Sequence, residues 1–109
     1  MQITIEQARV LEAVARLGTI QKAAEELHRG HSAIIYSLKN LEDQTNLKLF
    51  QRIGQRNHLT IEGDLALKHC RRLLDAHQSF EEACTLIKGG WEPSFKLIYD
   101  EVVDFNIIG

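Results

Sequence analysis

Apolar residues recur at helical intervals from the start of the chain: Ile5, Ala8, Leu11, Val14 and Ala15 fall on one stripe. Thr4-Ile5-Glu6-Gln7 has the form of a capping box, and Leu17-Gly18 supplies the stop. Thr19 opens a second, short helix over 20–27, whose Ala23-Ala24 pair permits close approach by a neighbouring helix. His28-Arg29-Gly30-His31 is a connector whose glycine suits a turn. A third helix begins near Ser32 and runs to about Gln44, with Ala33, Ile34, Leu38 and Leu41 on its stripe. Residues 46–58 are polar around Gly54 and flanked by Leu49-Phe50 and Leu59, which predicts a small β-hairpin.

Thr60 is a suitable N-cap for a fourth helix over 61–88. At 1.5 Å per residue that helix spans about 42 Å, too long for the small core beside it. Ala66, Cys70, Leu73, His77, Phe80, Cys84 and Ile87 alternate at intervals of four and three, the pattern of a coiled-coil seam with His77 its sole polar member. Such a stripe is expected to be buried against a partner. Gly89-Gly90 ends the helix, and Phe95 to Tyr99 reads as a strand with nothing to pair. The expected organisation is a head over 1–60, a linker and dimerisation helix over 61–89, and a hinge with the first strand of a further domain over 90–109.

Composition places 109 residues, 44% hydrophobic and 26% charged, among globular chains. No apolar run approaches a membrane span, and Met1-Gln2-Ile3-Thr4 lacks the charged start of a signal peptide. Two cysteines suit reduced thiols in a cytosol better than a disulfide scaffold. A net charge of −2 argues against nucleic acid only until it is divided along the chain. Residues 1–60 carry eight bases against six acids, and residues 61–109 five bases against nine acids. The average hides a mildly basic head and an acidic remainder.

Two short helices, a tight turn and a basic hairpin describe a winged helix-turn-helix, in a fold that is otherwise mainly α. The second helix of such a unit enters the major groove while the first crosses the phosphate backbone. Base edges would then be reached by His31, Ser32, Ile35, Tyr36 and Lys39. The helix N-termini at Thr19 and near Gly30 and Ser32 offer free N–H groups to phosphate. Arg52, Arg56 and Asn57 on the hairpin would reach phosphate or the minor groove. A small helical module that dimerises through 61–88 without touching DNA fits the same pattern.

The motifs favour the first reading. Gly18-Thr19-Ile20-Gln21-Lys22-Ala23-Ala24-Glu25-Glu26-Leu27 resembles the "G-S-x-x-x-A-A-x-x-L" of LysR-type transcriptional regulators. Ser32-Ala33-Ile34 and Leu41-Glu42 resemble the "S-A-V" and "L-E" of their recognition helix. Leu49-Phe50-Gln51-Arg52, Arg56 and Leu59-Thr60-Ile61-Glu62-Gly63 resemble "L-F-x-R…R…L-T-x-x-G". Thr60, inside the last motif, joins the candidate DNA-binding set. The resemblance covers residues 5–90. It implies double-stranded DNA as partner, an interrupted inverted repeat as site, and antiparallel pairing of linker helices in a homodimer. It further implies a tetramer as one full-length assembly, and a small-molecule effector acting through a downstream domain. It implies a bacterial cytoplasmic regulator, with no membrane partner, no cofactor and no enzymatic activity. Where the family usually has Ser, Gln and Ser, this chain has Gly30, His31 and Ile35, so no typical operator preference carries over.

Other chemistry is thin. His28 and His31 bracket a glycine turn with no thiol or carboxylate beside them, so no metal site is expected there. An antiparallel pair centred on His77 would set Cys70 opposite Cys84 of the partner subunit, the geometry of a redox or metal switch. The ordinary alternative is two inert buried thiols. No serine sits in a base–orienter arrangement, and no phosphate-binding glycine loop occurs.

Overall fold

The computed structural model describes residues 1–89. Thr4 starts α1 (Ile5–Leu17) as the sequence predicts: its hydroxyl accepts the Gln7 N–H at 3.1 Å, and Gln7 Oε1 accepts the Thr4 N–H at 2.9 Å. Gly18 ends α1 in the left-handed region at φ 87°, a conformation that favours glycine. Thr19 caps α2 (Ile20–Leu27), accepting the Lys22 N–H at 3.2 Å. The third helix, α3, runs His31–Thr45, and the hairpin pairs β1 (Phe50–Ile53) with β2 (Arg56–Leu59) in antiparallel register, Phe50 opposite Leu59 and Arg52 opposite Asn57. Finally α4 spans Ile61–Lys88. Met1–Asp75 is one compact unit, and α4 from Ala76 onward belongs to a second.

The core of the first unit gathers Val10, Leu11, Ala13 and Val14 of α1, Ala23 and Ala24 of α2, Ile34 and Leu41 of α3, Leu49 and Phe50, and Leu67 and Cys70 of α4. Each large side chain so buried stabilises the fold by about 1.5–3 kcal/mol. Polar contacts lock the wing and α4 onto α3. The Glu42 carboxylate accepts the N–H of Leu49 at 2.8 Å and of Phe50 at 3.3 Å. The Thr60 hydroxyl donates to the carbonyl of Lys48 and accepts the N–H of Gly63. At Gly63 a Cβ would lie 2.1 Å from the Leu49 carbonyl oxygen, so α4 passes the segment just before β1 only because the position is glycine.

Three expectations are corrected. Ala33 is exposed, because its neighbour Ile34 takes the inward position and a helix turns about 100° per residue. The turn before α3 puts its positive φ on His28 (54°), while Gly30 sits at φ −71° as the N-cap of α3 without a side-chain hydrogen bond. The third correction concerns α4. Its inward stripe is Gly63, Leu67 and Cys70, with Leu74 partly buried against the core, rather than a seam wholly free for a partner.

Residues 90–109, with the expected hinge at Trp91-Glu92-Pro93 and the strand over 95–99, lie outside the described residues. Among the described residues, no helix is long and apolar enough to cross a membrane, and no group of three His, Cys, Asp or Glu side chains is arranged to hold a metal ion.

Candidate nucleic-acid interface

The outward surface of the helix-turn-helix is built by the alternation that buries its inward one. On α3, Ile34 is fully buried while Ile35 and Tyr36, the next two residues, are 47% and 67% exposed. His31, Ser32 and Lys39 are exposed on the same helix. A recess of about 500 Å³ opens between the start of α2, the start of α3 and the wing. Thr19, His31, Ile35, Arg52 and Asn57 line it, five of the residues expected at the interface. A second recess of about 340 Å³ beside it holds Lys39, with Ile20, Ile35, Arg52 and Asn57 common to both. Gly30, Ser32 and Tyr36 are exposed beyond the linings of both recesses.

Two expected residues have other work. The Thr60 hydroxyl is consumed by the Lys48 carbonyl and the Gly63 N–H, so it caps α4 and fixes the base of the wing. The Arg56 guanidinium donates to the Leu17 carbonyl at 3.4 Å and lies over Gly18, outside both recess linings. Conversely, Lys22, Gln21 and Gln55 line the first recess and Lys48 the second, and none of these was singled out from the sequence. The signal for Lys22 was available: it is a base three residues after an N-cap threonine, and so in the first turn of α2.

Charge sorts the basic side chains into two groups. Arg16 is held by Glu12 at 2.9 Å and by Glu26, joining α1 to α2, and Arg29 pairs with Glu6 at 3.1 Å. The hydrogen bonds from Arg16 keep the Glu26 carboxyl below its ordinary range, and those carboxylates in turn raise the Arg16 guanidinium. Among the described residues, Lys22, Lys39, Lys48 and Arg52 enter no ion pair. Four unpaired cations thus line the recesses together with Glu25 and Glu42. Arg9, Arg56, Lys68, Arg71, Arg72 and Lys88 are likewise unpaired elsewhere among the described residues, and Arg16 and Arg29 are the two that brace helices.

The seam residues of α4 divide as well. Leu73, Phe80 and Ile87 are exposed at seven-residue intervals, Cys84 is exposed, and Ala66 and His77 are partly buried. Cys70 is buried in its own chain, its thiol donating to the Ala8 carbonyl at 3.2 Å. Burial pushes that thiol up to about 11. Cys70 is thereby withdrawn from the expected pairing with Cys84 of a partner, and no switch is built on it. Beside it, Ile3, Leu11, Leu41, Leu47, Leu49, Ala66 and Leu73 line an apolar groove of about 280 Å³.

Comparison with known proteins gives this geometry a setting. A family model described as bacterial regulatory helix-turn-helix protein, lysR family, matches residues 5–64. The chain is 33% identical over 101 residues to the probable HTH-type transcriptional regulator YhaJ of Escherichia coli, covering 93% of this chain and 34% of that protein. It is 32% identical over 105 residues to the RuBisCO operon transcriptional regulator of Allochromatium vinosum, covering 96% and 35%. It thus spans about a third of the length of the curated relatives it matches. Among solved structures, the CbnR_DBD–DNA complex superimposes with a TM-score of 0.69 at 27% identity, over 77% of this chain and 98% of that one.

Proposed function

The chain belongs to the lysR family of bacterial regulatory helix-turn-helix proteins, and from that premise we propose that it binds double-stranded DNA sequence-specifically as the head of a dimeric transcription regulator. One observation carries this reading. The starts of α2 and α3 and the wing residue Arg52 converge on a recess whose cations Lys22 and Arg52 have no ion-pair partner among the described residues. A major groove about 12 Å wide admits one helix. With α3 seated there, Lys22, Lys39 and Arg52 meet phosphate and fix the register, since such contacts position a protein without reading sequence. The Thr19 end of α2 adds backbone N–H groups and the positive end of its dipole. Ile35 is suited to a thymine methyl and His31 to a base-edge acceptor. CbnR_DBD, of like fold, was crystallised as a complex with DNA, which supports DNA as the partner.

The partner of this head is a second copy. Leu73, Phe80 and Ile87 leave an exposed apolar row, and an apolar groove opens beside Leu73. Residues 66–75 carry Lys68, Arg71 and Arg72 against Asp75, whereas residues 76–87 carry Glu81 and Glu82 and no Lys or Arg. An antiparallel pair of α4 helices opposes those unlike halves, and a parallel pair would oppose like ones. Two heads then read two half-sites of an interrupted inverted repeat. The regulator acts in the bacterial cytoplasm, its small-molecule effector binding in a downstream domain, with a tetramer as one full-length assembly.

Selection from random DNA duplexes with the 109-residue chain tests the reading. The expected product is an inverted repeat whose preferred bases change in His31→Ala and Ile35→Ala. A pool that stays random at low salt would overturn it in favour of a dimerisation module without DNA.

A further inference from the structure

We propose that Arg56 is a positioning residue: it locks the wing onto the turn between α1 and α2 and thereby sets where Arg52 reaches. The inference rests on the DNA-binding reading for its consequence, though the lock itself does not. Two neighbouring donors on β2 meet the end of α1. The Arg56 guanidinium donates to the Leu17 carbonyl at 3.4 Å, and the Asn57 N–H donates to the Gly18 carbonyl at 3.0 Å. Carbonyls at a helix C-terminus lack internal partners, and the negative end of the dipole there favours a cation. Gly18 makes the approach possible in two ways. Its φ of 87° ends α1, and a Cβ in its place would stand 1.9 Å from the guanidinium Nη2.

The lock sits one rung from the residue it would control. Asn57 is the cross-strand partner of Arg52, and Arg56 is the partner of Ile53. Gly18 is followed at once by Thr19, the N-cap of α2. Thr19, Lys22, Arg52 and Asn57 line one recess, so fixing β2 to Gly18 fixes the separation between the start of α2 and Arg52. A hairpin of two four-residue strands is too small to hold such a position alone. Arg56 thus acts through Arg52 and touches no phosphate itself.

A double-mutant cycle of duplex binding, with amide exchange measured on the free protein, tests this. Arg56→Gln is expected to weaken binding roughly tenfold in the native background and to change it little when Arg52→Gln is already present, a coupling of the size seen between interacting residues. Exchange of the Asn57 N–H is expected to quicken in Arg56→Gln and to stay unchanged in Arg52→Gln. Arg56→Lys, which keeps the cation but not the planar fork, is expected to fall between. Equal losses from Arg56→Gln in both backgrounds, with the salt slope of binding reduced by about two for the two heads, would mean a direct phosphate contact and overturn the proposal. Unchanged Asn57 exchange would overturn the lock whether or not DNA is bound. If no duplex binds, the DNA-binding reading fails while the exchange result still decides the lock.

Discussion

Ile34 and Ile35 are adjacent residues of one chemistry in opposite surroundings. Ile34 is fully buried among α1, α2 and α3, whereas Ile35 is 47% exposed and lines both recesses. The inner residue is explained by packing alone. The outer one leaves apolar surface in water beside cations that have no ion-pair partner, and it is this surface that the proposed DNA contact would cover. The same division runs through α4, where Cys70 is buried and Cys84 is exposed. Within this fold, what faces inward states how the head holds together, and what faces outward states what it meets.

The sharpest way to break the comparison is to truncate each isoleucine. Ile34→Ala is expected to cost about 2–5 kcal/mol, from lost burial plus the cavity left behind. Ile35→Ala is expected to stay within about 0.5 kcal/mol of the native stability, as exposed substitutions do. Denaturant melts check both, and a large loss from Ile35→Ala would make it a core residue and remove it from the interface.

The cysteines offer a second contrast, in rate. With its thiol pushed up to about 11, Cys70 stays protonated, and so poorly nucleophilic, throughout the neutral range. Its burial adds a barrier to access. Timed alkylation at neutral pH should therefore leave Cys70 unmodified in the native chain and reach it only on unfolding. Fast reaction of both would contradict the inward placement of Cys70.

The smallest expected effect lies at Gly30. It is the N-cap of α3 with φ −71°, a conformation open to any residue, and no atom lies within 4 Å of a Cβ built there. Gly30→Ser supplies the missing cap and should stabilise the head by a few tenths of a kcal/mol or more. A destabilised variant would mean that the start of α3 is held by something other than its cap.

Much of this was legible in the sequence because local rules decide it. The capping box at Thr4, the stop at Gly18, the cap at Thr19 and the full extent of α4 follow from residue type and spacing. What escaped was of another kind. A run with Ala66, Leu67, Cys70, Leu73 and Leu74 contains two adjacent apolar stripes, and spacing does not tell which faces the chain's own core. Cys70 fits the spacing of both, and the fold turns it inward. Arg52 and Arg56 are the same residue type four positions apart, and only tertiary contact separates the recess-lining Arg52 from Arg56, which is seated on Gly18. Glu42 is legible in the sequence as part of the Leu41-Glu42 motif, but its role, accepting two backbone N–H groups where the chain enters the wing, comes only from tertiary contact.

In the proposed complex the outward face of the helix-turn-helix meets the phosphates of duplex DNA. The salt dependence of binding tests it most directly. Three cations per head, Lys22, Lys39 and Arg52, and two heads give about six phosphate contacts, so log Kobs should fall against log salt with a slope near −5. That is roughly a thousandfold between 50 and 200 mM, and replacing Arg52 by Gln in both heads should make the slope shallower by about two. Binding indifferent to salt, or unaffected by Arg52→Gln and Lys39→Gln together, would contradict it.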